Sequence, residues 1–246
     1  MLAFLTGTGF YELPGLADRR SETVVTPFGD AAVTIGRWGG AEIAFLARHG
    51  HDHSVPPHRI NYRANVWALR EVGASAVIAT AVSGGIRADM LPGDLVLIDQ
   101  FIDVTSGRAG TFYDEVGNLR HTDVSEPYDP ELRARLADAA HGTGTAIHPS
   151  GTYICTNGPR FETPAEIRAY RAWGADLVGM TGCPEVALAN ELGIPYASVG
   201  VISNPAAGLA DRPITMAEIM TTIETASARL LGLVEWVVAG WLDAAP

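Results

Sequence analysis

Two short segments carry the strongest chemical signal in this chain. Gly158-Pro159-Arg160-Phe161-Glu162-Thr163 places an aromatic ring beside a carboxylate, and Val201-Ile202-Ser203-Asn204-Pro205 ends an apolar run on a carboxamide. A ring to stack on, an acceptor and a carboxamide together suit a 6-oxopurine. Glu162-Thr163-Pro164 taken alone also reads as an ordinary helix start, so the inference rests on the two segments jointly.

Several weaker signals surround them. Thr6-Gly7-Thr8-Gly9 follows a short apolar run, where a glycine turn can present backbone amides and the Thr8 hydroxyl to an anion, or can be a plain turn. It is neither a dinucleotide fingerprint, since Phe10-Tyr11-Glu12 stands where a third glycine would, nor a Walker loop, for want of a lysine. Arg48-His49-Gly50-His51-Asp52-His53, with His58 soon after, holds four of the seven histidines. It can be read as a metal site, a solvated loop, or an anion site built on Arg48 and His49. Gly50 and Pro56-Pro57 interrupt the strand alternation that a shared face of histidines would need, and a guanidinium fork suits phosphate. Ala81-Val82-Ser83-Gly84-Gly85 and Met180-Thr181 each close an apolar run, the position where open α/β sheets bind ligands. Simple turns and methionine packing are the alternatives.

The elements that must position these groups alternate along the chain. Leu2 to Leu5 reads as a buried strand, and Ala31 to Trp38 with Glu42 to Ala47 as a pair turned at Gly39-Gly40. Asn61 to Val72 carries a helical stripe of Val66, Leu69 and Val72, stopped by Gly73. Ala76 to Val82 is a continuous apolar strand followed by a Ser83-Gly84-Gly85 loop, and Asp94 to Val104 is a long β-rich run. Helices are expected from Pro130 to Ala140, from the Thr163-Pro164-Ala165-Glu166 capping box to Trp173, from Pro184 to Leu192, and from the Thr215-Met216-Ala217-Glu218 box to Gly240. Thr152 to Thr156, Leu177 to Met180 and Tyr196 to Ile202 complete the strands. Strands alternating with helices predict one α/β domain over residues 1–246, with a mixed central β-sheet flanked by helices. Gly107 to Arg120 is the longest irregular stretch, a hint of function.

Bulk properties narrow the field. The 246 residues are 47% hydrophobic and 18% charged, enough apolar side chains for a full core. A net charge of -11 argues against nonspecific nucleic-acid binding and against an anionic membrane surface. Cys155 and Cys183 make neither a disulfide framework nor a four-ligand zinc pattern. The opening Met1-Leu2-Ala3-Phe4-Leu5 lacks a basic n-region, and no apolar run reaches membrane-spanning length, so a cytoplasmic protein is expected.

In their order along the chain, these signals resemble the trimeric purine nucleoside phosphorylases, and within them the methylthioadenosine and methylthioinosine phosphorylases. The resemblance runs through Thr6-Gly7-Thr8-Gly9, Arg48-His49-Gly50, Asn61-Tyr62-Arg63-Ala64-Asn65 and Pro92-Gly93-Asp94. It continues through Gly158-Pro159-Arg160-Phe161, Met180-Thr181-Gly182-Cys183-Pro184-Glu185 and the Asn204 strand end, and so covers nearly the whole chain. It implies the nucleoside phosphorylase fold, a homotrimer, and cleavage of a purine nucleoside by inorganic phosphate, with no metal or organic cofactor. The family's phosphate pocket falls on Thr8, Arg48, His49, Thr181 and the backbone near Ala81 and Val82. Relatives carry threonine at one of these places, where this chain has Ala81. Met180 and His53 would lie by the ribose, Phe161, Glu162 and Asn204 would hold the base, and His121 would complete a neighbouring subunit's pocket. Asn204, Arg48 and His49 are the expected catalytic groups.

Two departures from the adenine-specific relatives refine the substrate. Those enzymes resemble one another in a small hydroxyl residue at the Glu162 position and an aspartate at the Asn204 position. Hypoxanthine and guanine carry N1–H, a donor that a Glu162 carboxylate accepts, whereas adenine N1 is an acceptor. Such a site discriminates by about 10⁴ or more. Inosine-cleaving relatives place a histidine near the start of the last helix for the 5′-hydroxyl. Met216, flanked by Ile214 and Ala217, stands there in this chain and suits an apolar methylthio group, unless it faces the core. The expectation is 5′-methylthioinosine ahead of inosine or guanosine, with methylthioadenosine disfavoured. A water-using nucleosidase and a catalytically silent nucleotide binder are the competing classes.

Overall fold

The structure, a computed structural model, describes residues 1–11, 13–50, 52–210 and 215–243. Glu12, His51 and Ile214, which entered the readings of the glycine turn, the histidine cluster and the 5′ pocket, lie outside the described residues.

Continuous apolar runs make the centre of the sheet. β1 (Leu2–Thr6) lies between β4 (Ala41–Ala47) and β5 (Ala76–Gly85), parallel to both, and β10 (Tyr196–Pro205) pairs in parallel along the other side of β5. These strands read as unbroken hydrophobic stretches because both faces are covered. Leu2 and Phe4 pack into one core and Ala3 and Leu5 into the other, as the two-residue period requires. On one side lie α1 (Tyr62–Glu71) and α4 (Gly182–Glu191); on the other lie α2 (Pro130–Thr143) and α5 (Met216–Asp243). In α5 the buried stripe Ile219, Ile223, Ala226, Leu230, Leu233 and Val237 recurs at three- and four-residue steps. Burying each of its larger side chains contributes about 1.5–3 kcal/mol.

The full ten-stranded sheet adds β2 (Ala17–Thr26), β3 (Gly29–Trp38), β6 (Leu95–Leu97), β7 (Gln100–Asp103), β8 (Thr152–Cys155) and β9 (Leu177–Gly179). β3 and β4 form the expected antiparallel pair across Gly39-Gly40. The mixed α/β architecture flanked by helices is as read from the sequence. Both capping boxes are present: Thr163 and Glu166 bond reciprocally at the start of α3 (Pro164–Ala172), and Thr215 and Glu218 do so before α5.

Three local expectations are corrected. Ser83-Gly84-Gly85 is not a loop; β5 continues through it, with Gly84 and Gly85 paired to both β10 and β9. Glycine serves there because the layers approach closely: a Cβ on Gly85 would sit 2.6 Å from the Met90 carbonyl oxygen. The Asp94 to Val104 run is two strands, β6 on β10 and β7 on β8, which part at Ile98-Asp99. β2 has no counterpart in the sequence reading, because its residues are mostly exposed and polar and what makes it a strand is chiefly its backbone ladder to β3.

Candidate active site

A cavity of about 660 Å³ opens where β1, β4, β5 and β10 end and β9 runs back beside β5. Its lining includes Thr8, Arg48, His49, His53, Val82, Phe161, Glu162, Met180, Thr181, Asn204 and Met216. Positions scattered over two hundred residues of chain thus meet at one hollow. Ala81 and His121 are not among the lining residues: Ala81 is buried in the core, and His121 is exposed on the irregular segment after β7.

One end of the cavity is built on a buried ion pair. Arg48 follows β4 and is only 4% exposed. Its Nε and Nη2 donate to the two oxygens of Glu185 at 2.9 and 2.8 Å, and Nη1 and Nη2 donate to the carbonyls of Thr80 and Leu5. Four of the five guanidinium N–H groups are thereby committed. Nη1 is left to face the turn, where a Cβ on Gly7 would lie 2.9 Å from it. Burial opposes the charge on Arg48, but the Glu185 carboxylate and its hydrogen bonds more than offset it, so the guanidinium stays protonated more firmly than usual. Glu185, fully buried at the start of α4, also accepts from Tyr196 Oη at 2.6 Å.

His49 lies next to this pair, with its Nδ1 2.8 Å from the Val55 carbonyl and its ring 4.8 Å from that of His53. Burial, and then the charges of Arg48 and His53, push its pKa down to about 4 against the opposing effect of the Val55 bond. The imidazole is therefore neutral near pH 7. Nδ1 carries the hydrogen toward Val55, and the Nε2 lone pair is turned toward the Gly7 side. Tyr11 Oη meets His53 Nδ1 at 2.6 Å.

Ser83, in the strand-end segment singled out from the sequence, also lines the cavity, as does Thr80, which sequence reasoning missed. Thr80 Oγ1 is buried without a hydrogen-bond partner, an arrangement that costs about 1–3 kcal/mol unless something binds there. The two-residue strand period could have found it. Thr80 and Val82 share the face of β5 that lines the cavity, while Ala81 packs into the core on the other face.

Other lining residues carry the groups suited to a heterocycle. Glu162 precedes α3, and its Oε1 accepts from Thr156 Oγ1 at 2.8 Å, just past β8. Asn204 sits after a break in the register between Ile202 and Asn204 against β5. Such a bulge turns the following side chain to the other face. Its Oδ1 accepts from Ser203 Oγ at 2.7 Å, and its Nδ2 donates to the Pro205 carbonyl at 2.8 Å, leaving one amide hydrogen free. Phe161, 60% exposed, stands at the rim. Met180 is pinned from behind, since a Cβ on Gly158 (φ +59°) would lie 2.4 Å from its sulfur. Met216 at the start of α5 is 59% exposed and faces the cavity with Ile219, not the core.

The lining brings a guanidinium and hydroxyls together with an aromatic ring, a carboxylate, a carboxamide and two methionines in one cavity. Among the described residues, no group of three or more His, Cys, Asp or Glu side chains gathers as metal ligands would, and no helix is long and apolar enough to cross a membrane. Fold and cavity together define an α/β enzyme of the nucleoside phosphorylase class. The chain belongs to the Phosphorylase superfamily, which it matches over residues 2–239. It is 48% identical to the 6-oxopurine nucleoside phosphorylase of Pyrococcus furiosus, over 95% of this chain and 90% of that one. It is 50% identical to a probable S-methyl-5′-thioinosine phosphorylase of Methanopyrus kandleri, over 93% and 88%. Among solved structures, the methylthioadenosine phosphorylase of Schistosoma mansoni in complex with adenine superposes with a TM-score of 0.94 at 29% identity, covering 100% of this chain and 92% of that one.

Proposed function

We propose that this enzyme cleaves 6-oxopurine nucleosides by phosphorolysis, with S-methyl-5′-thioinosine as the preferred substrate, giving hypoxanthine and 5-methylthioribose 1-phosphate. The observation that carries this reading is the pairing of Glu162 and Asn204 at one end of the cavity, each held by a neighbour's hydroxyl. A carboxylate accepts N1–H of hypoxanthine and meets the N1 lone pair of adenine unfavourably. Leaving the wrong base with unpaired groups disfavours it by about 10⁴ or more. Phe161 supplies the stacking surface.

In this mechanism phosphate attacks C1′ from the face opposite the base as the C1′–N9 bond breaks with oxocarbenium character. Electrons of that bond pass to the purine. The free Nδ2 hydrogen of Asn204 donates to N7 and stabilises the charge that accumulates there. Inorganic phosphate is the co-substrate, held by Thr8, the Thr80 hydroxyl, Thr181, the remaining Arg48 N–H and the backbone near Ala81 and Val82. Its protonated oxygen donates to His49 Nε2. Arg48 acts chiefly as a fixed positive charge beneath the nucleophile, oriented by Glu185. Met180 and His53 lie along the ribose, and Met216 receives the methylthio group. The reaction needs no metal or organic cofactor. We assign a cytoplasmic homotrimer in which His121 of each chain completes a neighbouring cavity, and neither nucleic acid nor membrane is a partner.

A plain inosine or guanosine phosphorylase is the second reading, favoured by the similarity to the Pyrococcus enzyme and separated from the first only by Met216. Free-base release from 5′-methylthioinosine, inosine and 5′-methylthioadenosine, each with and without phosphate, tests both. Phosphate-dependent cleavage led by methylthioinosine is expected. A lead for inosine overturns the role of Met216, a lead for methylthioadenosine overturns that of Glu162 and Asn204, and phosphate-independent release identifies a hydrolase.

A further inference from the structure

Arg108 lies in the irregular segment between β7 and α2 and does not line the cavity, yet its guanidinium bonds the backbone of Met180, which does. Nη2 donates to the carbonyls of Met180 (2.8 Å), Asn157 (3.1 Å) and Thr156 (3.2 Å). Nη1 donates to the Cys183 carbonyl and to Tyr62 Oη at 3.0 Å, and the guanidinium lies 5.1 Å from the Tyr62 ring centre. None of these partners is a carboxylate. One planar cation therefore gathers backbone carbonyls from the chain just beyond β8 and just beyond β9, adding to the single backbone bond there, from Thr156 N–H to the Gly179 carbonyl at 2.8 Å.

Those carbonyls belong to residues that shape both ends of the cavity. The Met180–Thr181 peptide is held by its oxygen on Arg108 and by its N–H on Tyr153 Oη at 3.2 Å, which aims the Met180 and Thr181 side chains. Thr156, gripped through its carbonyl, is the residue whose hydroxyl orients Glu162. The segment is itself pinned further on, by Phe112 N–H donating to buried Glu191 and by Arg63 bonding Asp114. Arg108 thus enters from a fixed loop.

We propose that Arg108 is a positioning residue that registers the phosphate-and-ribose end of the cavity, through Met180-Thr181, against the base end, through Thr156 and Glu162. This rests on the functional reading above. Arginine fits the task because its rigid fork reaches four carbonyls at once, whereas a lysine ammonium is a point charge with three donors. A displacement of even an ångström at reacting groups costs on the order of tenfold to a hundredfold in rate.

The test compares the full-length protein with Arg108→Met and Arg108→Lys at a temperature where circular dichroism shows each to be folded. Phosphate KM, kcat, and the ratio of kcat/KM for a 6-oxopurine nucleoside over its 6-amino counterpart are measured together. The methionine variant should lose about tenfold or more in kcat/KM, with phosphate KM raised and the base ratio eroded together, and lysine should restore part of each. A folded variant with a lowered melting temperature but unchanged phosphate KM and base ratio would overturn the proposal. If the methionine variant does not fold, the lysine variant decides by the same two quantities. If the wild type releases no base from any nucleoside, the functional reading falls. Arg108 is then judged by calorimetric binding of inorganic phosphate, weakened in the variants if it positions the site and unchanged if it does not.

Discussion

Replacing Glu185 by glutamine tests the electrostatic foundation of the cavity. Glu185 is fully buried and accepts from Arg48 Nε, Arg48 Nη2 and Tyr196 Oη. A glutamine keeps the shape but offers one oxygen in place of two and turns its amide donors toward a donor. It also leaves the Arg48 guanidinium, 2% exposed along its side chain, as an uncompensated charge in the core. Removing one partner of such a pair costs about 3–5 kcal/mol. In a domain of this size that lowers the melting temperature by roughly 6–20 °C, at about 2–4 °C per kcal/mol. Guanidinium denaturation followed by tryptophan fluorescence at fixed protein concentration gives the free energy directly. The double variant Arg48→Met/Glu185→Leu removes both charges but leaves the Tyr196 hydroxyl and the Thr80 and Leu5 carbonyls without these partners, so it should recover only part of the lost stability and should lose phosphate-dependent turnover. A Glu185→Gln protein within about 1 kcal/mol of wild type would refute this account of the pair.

Asn204→Asp should move base preference toward 6-aminopurine nucleosides, because a carboxylate accepts from an exocyclic 6-amino group and repels a 6-oxo oxygen; unchanged relative kcat/KM values would sink the assignment. Thr80→Val removes a hydroxyl that has no partner within the protein. It should leave stability unchanged or slightly higher while raising phosphate KM by about tenfold, roughly one charge-assisted hydrogen bond, and a phosphate KM equal to wild type would exclude Thr80 from the anion site. The depressed pKa of His49, about 4 against an unfolded 6.5, means that the unfolded chain takes up a proton there first as pH falls. Stability at this residue should therefore decline as pH is lowered from about 6.5 to 4 and level off below, by about 3 kcal/mol at most. Urea midpoints measured across that range should fall less steeply for His49→Gln, and identical slopes would contradict the assignment.

What the sequence determined by itself is whatever a local pattern can express. Apolar runs became β1, β5 and β10, and a helical stripe became α1. Two capping boxes became the starts of α3 and α5, because each is settled by contacts three residues apart. Aromatic, carboxylate and carboxamide could be singled out as candidates for the cavity that they do line, because their chemistry is intrinsic to the side chain. Only the tertiary structure decided how they are aimed. The bulge before Asn204 reverses the face that simple alternation from Ile202 would assign, and it is visible only in the register of β10 on β5, which resumes at Asn204 opposite Gly84. Arg48 reads as a free phosphate ligand until Glu185, 137 residues away, takes up the Nε–Nη2 edge of its fork. Thr80 is unremarkable in an apolar strand until the layers leave its hydroxyl without a partner at the cavity. The difference is one of range: periodicity and capping are paid by neighbours in sequence, whereas ion pairing, strand register and the emptiness beside a buried hydroxyl depend on which distant segments the fold brings together.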